Sequence, residues 1–530
     1  LTTSYEYENH SLVLHDPAVF LDPYSGHEHM AVYHTARKML PKPLRPLSVG
    51  RVFASFAAVL SLEACAVGPD YKAPHANIAA FGNPSLQGNI AGQVPLPLDR
   101  WWEGFHDPEL VRIEQRVLAQ NLDLEAAMGR IRQAHGAAEA AAAQMLPTLD
   151  FAPQASAYRL SNEGLIGRIA HNFPGYNRDQ RAYDVHGVAS WELDLFGGLR
   201  RGHEAARDEA EAAVAQSAGV RVSVAGDAAD AYFQIRGYQA RLRVAQDQVA
   251  TDQHLFDLVQ QRRGRGVASL REVDQAQALL LSAQESIPVL RVALEVQLNR
   301  LDVLMGVQPG TYAQELALSV PAVTIPSIGY VTPADVLRRR PDVIAAERHL
   351  AALNARIGQA LADYYPKLSL SGALGFQSLS VNKMFTPAGF GPSASGALRW
   401  RIFDFGKIDA EVQQAKGAYA EQLAQYRSTV LHAAEDVENA FMSLAQSEKR
   451  AVEIGAEVAS LTQARNLSSQ SYQAGVIPLT DVLDANRQLL AAEDWQADNQ
   501  SETARAAVRS FRAIGGGWEG AVDSTRVAAR

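Results

Sequence analysis

One cysteine, Cys65, is all that 530 residues contain, so the fold takes no support from an internal disulfide. Paired-cysteine motifs are therefore absent, as are His-Glu-x-x-His and the phosphate loop Gly-x-x-x-x-Gly-Lys-Ser/Thr. Gly197-Gly198 never extends to Gly-x-Gly-x-x-Gly. With these patterns go the zinc-hydrolase, nucleotide-triphosphate and dinucleotide readings. No catalytic set, metal site or cofactor is expected, and the chain is not read as an enzyme. Beyond residue 65 no run of 18 uncharged apolar residues occurs, so the body of the chain is expected to hold no membrane-spanning helix. An excess of basic charge is lacking too. The 49 Lys and Arg against 58 Asp and Glu leave a net charge of −9, which argues against a nucleic-acid partner. What the chain does have is apolar residues, 47% of the total, enough for a large core.

The lone cysteine has an informative neighbourhood. Met39, Lys42, Arg45 and Arg51 lead into the apolar stretch 52–62, a basic region followed by a core of signal-peptide length. Leu62-Glu63-Ala64-Cys65 closes it and resembles a bacterial lipobox, with Glu63 as an unusual occupant. That motif implies cleavage after residue 64 and acylation of Cys65. Each buried acyl methylene adds about 0.8 kcal/mol, so several chains make a firm anchor. Ala66 follows where aspartate would favour retention at the inner membrane; the outer membrane is the expected address. Residues 39–64 are thus read as a signal and 1–38 as an extension ahead of the true start. The histidines His10, His15, His27, His29 and His34 of that extension fit no standard ligand spacing.

After Cys65 the chain repeats itself. Trp191-Glu-Leu-Asp-Leu-Phe196-Gly197 matches Trp400-Arg-Ile-Phe-Asp-Phe405-Gly406 at an offset of 209 residues. Gly266-Val-Ala-Ser-Leu-Arg-Glu272-Val273 matches Gly475-Val-Ile-Pro-Leu-Thr-Asp481-Val482 at the same offset. Leu146-Pro147 and Tyr365-Pro366 lie 219 apart, so the first half carries ten extra residues between Pro147 and Trp191. A period near 200 is a duplication and not a short-repeat solenoid. Each half predicts a helical stretch (107–145; 333–363), two alternating segments, a very long helix (199–263; 408–473), a glycine break and a further helix (268–304; 479–512).

The alternating segments are 148–158, 183–195, 367–377 and 394–402, the first interrupted by Pro153. Leu368, Leu370, Leu374 and Phe376 fall on one face, Lys367, Ser369, Ser371 and Gln377 on the other. Period-two alternation over about ten residues with aromatic ends fits outer-membrane strands, apolar to lipid and polar to a lumen. Four strands cannot close a barrel, and an open edge in lipid leaves backbone groups unpaired at several kcal/mol each, so several copies are expected to share one barrel. A helix of about 65 residues runs roughly 95–100 Å, far beyond ordinary globular helices, and its alanines (Ala205, Ala210, Ala212 and Ala215; Ala410, Ala415, Ala418 and Ala420) allow close helix packing.

At this point the residues resemble a known family. Cys65-Ala-Val-Gly-Pro-Asp70, Leu337-Arg-Arg-Arg-Pro-Asp-Val343, Ala355-Arg-Ile-Gly358, Tyr365-Pro-Lys-Leu-Ser-Leu-Ser-Gly372 and Gly515-Gly-Gly-Trp518 look like the TolC/OprM outer membrane efflux proteins, in particular the NodT-type lipoprotein branch that serves RND pumps. The resemblance covers about 65–518. It implies an α+β membrane protein: a homotrimer whose 12-stranded barrel takes four strands per chain, continued by a long periplasmic helical barrel. It also implies a periplasmic adaptor (membrane fusion protein), an inner-membrane RND-type transporter and outer-membrane lipid as partners. The expected division is a lipid-anchored arm 65–106, a first repeat 107–304, an equatorial linker 305–332, a second repeat 333–516 and a tail 517–530.

The same resemblance nominates residues. Gly266-Val267-Ala268-Ser269 and Gly475-Val476, followed by Ile477-Pro478, would form the tips that meet the adaptor. Asp481 and Asp484 share one helix face and would narrow the periplasmic entrance; three chains would make two carboxylate rings, which select cations in a pore. Tyr472 and Glu272 match positions that hold the entrance closed. The family pattern has an arginine where this chain has Ile477, so that latch is missing or is supplied by Arg265 or Arg271. Arg338–Arg340 are read as a solvated helix end. A protein-secretion duct of the same fold and a structural trimeric coiled coil at the cell surface are the alternative readings.

Overall fold

The computed structural model describes residues 66–74, 79–82, 98–316, 324–326, 328 and 332–518. The expected extension, the signal, Cys65, much of the linker 305–332 and residues 519–530 lie outside them. A 3-10 segment, Leu98–Phe105, leads into α1 (Pro108–Gln120) and α2 (Leu122–Ala143). Then follow β1 (Thr148–Arg159), a short α3 (Leu165–Ala170), β2 (Asp179–Leu193), α4 (Gly198–Gly264), α5 (Leu270–Leu304) and α6 (Ala313–Leu316). The chain continues with α7 (Pro333–Arg339), α8 (Pro341–Ala362), β3 (Lys367–Ser378), β4 (Ser393–Arg399), α9 (Lys407–Gln473) and α10 (Leu479–Ala513).

Local chemistry sets the breaks. Where one helix was expected over 107–145, Asn121 divides it: its Oδ1 accepts from the N–H groups of Asp123 and Leu124, while its Nδ2 donates to Leu304 O at 2.9 Å. Pro341, at the first turn of α8, divides the second expected helix, since its ring cannot continue α7. α4 and α9 each span 67 residues, roughly 100 Å of helix, and α5 and α10 each span 35.

The four strands form one antiparallel sheet in the order β1-β2-β3-β4, which leaves β1 and β4 each with an unpaired edge. Pro153 sits within β1 opposite Val185, on an edge strand where a sheet accommodates proline. The register aligns the faces. Leu149, Phe151, Trp191, Leu370, Leu374 and Leu398 stand on one side, 39–77% exposed. On the other, Thr148, Ser190, Ser371 and Ser395 fall in one transverse row, with hydroxyl pairs Thr148–Ser190 and Ser371–Ser395 both at 2.8 Å. Trp191 and Trp400 donate their indole N–H to Met145 O and Tyr364 O, at 2.9 and 3.0 Å.

The helices also leave two open sides. α4 is central, packing on α2, α5, α8 and α10, while α9 packs on α8 and α10. The rows therefore run α2–α4–α8–α9 and α5–α4–α10–α9. On the terminal helix α5, Leu281, Val289, Val292, Val296 and Val303 are 54–68% exposed at helical spacing. On α9, Leu431, Met442, Val452 and Leu467 are 48–75% exposed. The alanines divide likewise: Ala205, Ala210, Ala212 and Ala215 of α4 are buried, whereas Ala410 and Ala420 of α9 are exposed. The main core lies where the 3-10 segment, α1, α4, α9 and α10 meet. There Trp101 stacks on Phe511 at 5.4 Å, and the Tyr232 hydroxyl donates to Asp107 at 2.5 Å.

Candidate functional site

The two helix reversals come together as one packed end. α4 and α9 are each closed by a glycine of positive φ, 77° at Gly266 and 76° at Gly475. Gly266 N–H donates to Arg263 O at 2.8 Å and Val267 N–H to Arg262 O at 2.9 Å; Gly475 N–H donates to Tyr472 O and Val476 N–H to Ser471 O, both at 2.9 Å. This paired pattern satisfies the last carbonyls of each helix. Nothing stands near a Cβ at either position, so the left-handed backbone alone requires glycine there. Val267 and Val476 are 64% and 76% exposed at the two turns. Ala268 turns inward onto the apolar cluster beneath, and Ser269 begins α5 in a reciprocal cap with Glu272.

Under the turns Leu255, Val259, Ala276, Leu479, Val482 and Leu483 pack around Tyr472, and Ile477 closes the cluster from the second turn. The Arg262 guanidinium lies 4.4 Å from the Tyr472 ring centroid and donates from Nη1 to Tyr472 O at 2.8 Å. Burial raises the phenol's pKa above its ordinary value; Glu272 adds to the rise and Arg262 opposes it. Its hydroxyl has no hydrogen-bond partner among the described residues. Glu272 accepts from the backbone N–H and the hydroxyl of Ser269, at 2.7 and 2.9 Å. That backbone bond, foremost, lowers its pKa. Within one chain Glu272 is a helix cap beside Tyr472.

Asp481 and Asp484 are exposed on α10, while Val482 and Leu483 between them are buried. Gln488 Nε2 donates to Asp484 at 2.7 Å. Neither aspartate forms an ion pair with a Lys or Arg among the described residues, and Arg487 stands exposed on the same helix three residues beyond Asp484. Arg265 and Arg271, the candidates for the missing latch, are both exposed. The arginine that meets Tyr472 is Arg262, which the sequence reading did not single out; cation–π contact between helix ends 210 residues apart has no local signal.

A second constellation gathers motifs that are distant in sequence. Arg340 is only 9% exposed. It holds Asp342 with two bonds, at 3.0 and 2.7 Å, Asp436 at 2.9 Å and Ala513 O at 3.1 Å. The solvated helix end expected for Arg338–Arg340 is therefore corrected at Arg340: it ties α8 to α9 and to the end of α10. Trp518 Nε1 donates to Arg339 O at 2.9 Å, Gly517 N–H to Leu98 O at 2.7 Å and Arg221 Nε to Gly517 O at 2.9 Å.

The arm is held in the same manner. Val67 N–H donates to Phe196 O at 3.0 Å, Arg201 Nη2 to Asp70 at 2.8 Å and Asn354 Nδ2 to Pro69 O at 2.9 Å. A Cβ on Gly68 would stand 2.4 Å from Gly358 Cα, and one on Gly197 would stand 2.8 Å from Ala66 Cα. Ala66 thus lies at the foot of β2, where sheet gives way to α4. Among the described residues no group of His, Cys, Asp and Glu is arranged to hold a metal ion, and no helix is long and apolar enough to cross a membrane.

Comparison with known proteins agrees with this geometry. The family model described as outer membrane efflux protein matches residues 113–307 and 332–516. The pyoverdine export outer membrane protein OpmQ of Pseudomonas putida is 31% identical over 427 residues, covering 80% of this chain and 89% of that protein. Nodulation protein T of Rhizobium leguminosarum bv. trifolii is 29% identical, covering 87% and 96%. Among solved structures the outer-membrane channel OprN superposes with a TM-score of 0.78 at 32% identity, over 86% of this chain and all of that one. The chain belongs to the outer membrane efflux protein family, and it serves as an efflux channel of the outer membrane.

Proposed function

We propose that this chain is the outer-membrane duct of a tripartite small-molecule pump, working as a homotrimer with a periplasmic adaptor and an inner-membrane RND-type transporter. The observation that carries the reading is the pair of open sides that runs the length of the chain. Each level ends in an unpaired element: β1 and β4 in the sheet, α2 and α9 below it, α5 and α9 in the lower row. In lipid an unpaired strand edge is untenable. Copies that join β4 to β1 and α9 to α5 satisfy the edges and bury both apolar stripes at once. Three copies of four strands give 12, with the Leu149–Leu398 face toward lipid and the hydroxyl row toward the lumen.

The same reading places the other parts. The equal lengths of α4 and α9 and of α5 and α10, with corresponding bounds 209 residues apart, support a duplication. Two separate matches to one family model support it as well. The position of Ala66 at the foot of the sheet supports acylation of Cys65, since its acyl chains would enter the membrane beside the apolar face. Val267 and Val476 are the surface offered to the adaptor. Asp481 and Asp484 form the charged entrance, with Tyr472 and Arg262 fixing the helix ends behind it. Cargo of small organic molecules is in keeping with a relative named for pyoverdine export.

Site-specific photo-crosslinking in living cells tests the assembly. A crosslinker at Val292 on α5 is expected to give adducts of the chain with itself, and one at Val476 an adduct with a second periplasmic protein. Absence of self-adducts at Val292 would overturn the proposed closure, and a Val476 product confined to the chain itself would overturn the tip as an adaptor contact.

A further inference from the structure

The β1–β2 connection, residues 160–178, contains α3, an α-helix that the β3–β4 connection lacks. Three side chains of α3 are exposed apolar groups, Leu165 at 80%, Ile166 at 66% and Ile169 at 58%, and Phe173 one turn beyond is 63% exposed. Single exposed apolar residues are ordinary; four on one short segment mark a contact surface.

The strand register fixes the height of this segment. From Leu149 to Arg159 the lipid-directed face of β1 covers eleven residues, ten steps or roughly 33 Å of strand. Tilted by about 40°, that is roughly 25 Å, the height of an outer-membrane apolar band. At its outer end the face changes character: Arg159 pairs with Asp179 across the two strands at 3.5 Å, and Arg181 follows on the same face. Six residues past Arg159, α3 begins. It is held close to the strand end, because Gly164 N–H donates to Ser161 O at 3.2 Å and a Cβ on Gly167 would lie 2.0 Å from that same oxygen. On the barrel reading, the apolar edge of α3 falls at the boundary between lipid headgroups and acyl chains.

The charge of the segment departs from that of the chain. Between residues 159 and 181 four arginines, Arg159, Arg168, Arg178 and Arg181, stand against Glu163 and Asp179, in a chain of net charge −9. A short amphipathic segment with apolar side chains on one edge and arginines around them suits an anionic lipid surface. Arginine in particular presents a planar fork that matches phosphate.

We propose that α3 and its flanking arginines bind the outer leaflet, with Leu165, Ile166, Ile169 and Phe173 among the acyl chains and Arg168 and Arg181 on the phosphate groups of an anionic lipid. The proposal rests on the barrel reading above, and its test separates the two. In a Cys65→Ser background, Ile169→Cys is labelled with an environment-sensitive dye, and Leu370→Cys on the sheet is labelled likewise. Both are reconstituted in vesicles of phosphatidylcholine, alone or mixed with phosphatidylglycerol, that carry spin-labelled acyl chains. The expected result is quenching and a blue shift at both positions. At position 169 the effect is stronger with phosphatidylglycerol, and adding Arg168→Glu and Arg181→Glu removes that difference between the two lipids. Quenching at 370 without quenching at 169 overturns the proposal and leaves α3 clear of the acyl chains. No quenching at 370 overturns the barrel reading itself. Quenching at 169 that is indifferent to lipid charge and to the two glutamates overturns the assignment to anionic lipid.

Discussion

Replacing Asp481 and Asp484 together by alanine should raise single-channel conductance in planar bilayers several-fold and abolish block by divalent cations. In the chain both carboxylates are exposed on α10 and neither forms an ion pair among the described residues. Brought together in the proposed trimer, such charges would form rings that attract cations and repel one another. The apolar residues between them, Val482 and Leu483, are 2% and 7% exposed and anchor the helix end, so the substitution removes charge without removing packing. Yield and thermal stability should stay unchanged, which separates loss of a gate from loss of fold. Unaltered conductance and cation block in the double variant would remove these residues from the entrance.

The second large effect lies far from the entrance. Glu114 on α1 is fully buried in the turn between Leu110, Ile113 and Val117, and neither of its carboxyl oxygens has a hydrogen-bond partner among the described residues. Burial raises its pKa well above the ordinary carboxylate value, with Arg221 opposing. The folded state thus holds this proton more tightly than the unfolded chain. Its contribution is fully present below the unfolded carboxylate pKa and is lost as pH rises through the raised folded value. Replacing Glu114 by methionine should therefore stabilise the protein at neutral and alkaline pH by about 1–3 kcal/mol, the usual penalty for an unsatisfied buried polar group. It should also flatten the decline of stability as pH rises above the ordinary carboxylate range. Melting of the detergent-solubilised protein across pH reads both effects; a variant that melts lower with an unchanged pH profile would contradict this account of Glu114.

The parts legible from sequence were those with a local period or a local backbone demand. The alternation at Lys367–Gln377 located β3 within a residue at either end, and the long helices were bounded within one residue of Gly198–Gly264 and Lys407–Gln473. Gly266 and Gly475 were readable because a helix reversal needs positive φ. β2 begins at Asp179, ahead of the expected 183, because Asp179, Gln180 and Arg181 carry no apolar alternation and are recruited by pairing with β1. β4 ends at Arg399, short of the expected 402, although the alternation continues. The break at Asn121 was missed because half of what holds it is the carbonyl of Leu304. Arg340 was misjudged for the same reason: two of its partners, Asp436 and Ala513, lie 96 and 173 residues away. Arg262 over Tyr472 is likewise a contact that only tertiary packing creates.

The most direct test of the account is the mass and outline of the intact protein extracted from outer membranes in detergent. Light scattering or native mass spectrometry should give three chains. Electron microscopy should show a 12-stranded barrel with a helical tunnel roughly 100 Å long, as 67-residue helices require. A monomer, or an assembly in which β1 and β4 remain unpaired, would contradict the proposed closure and with it the duct.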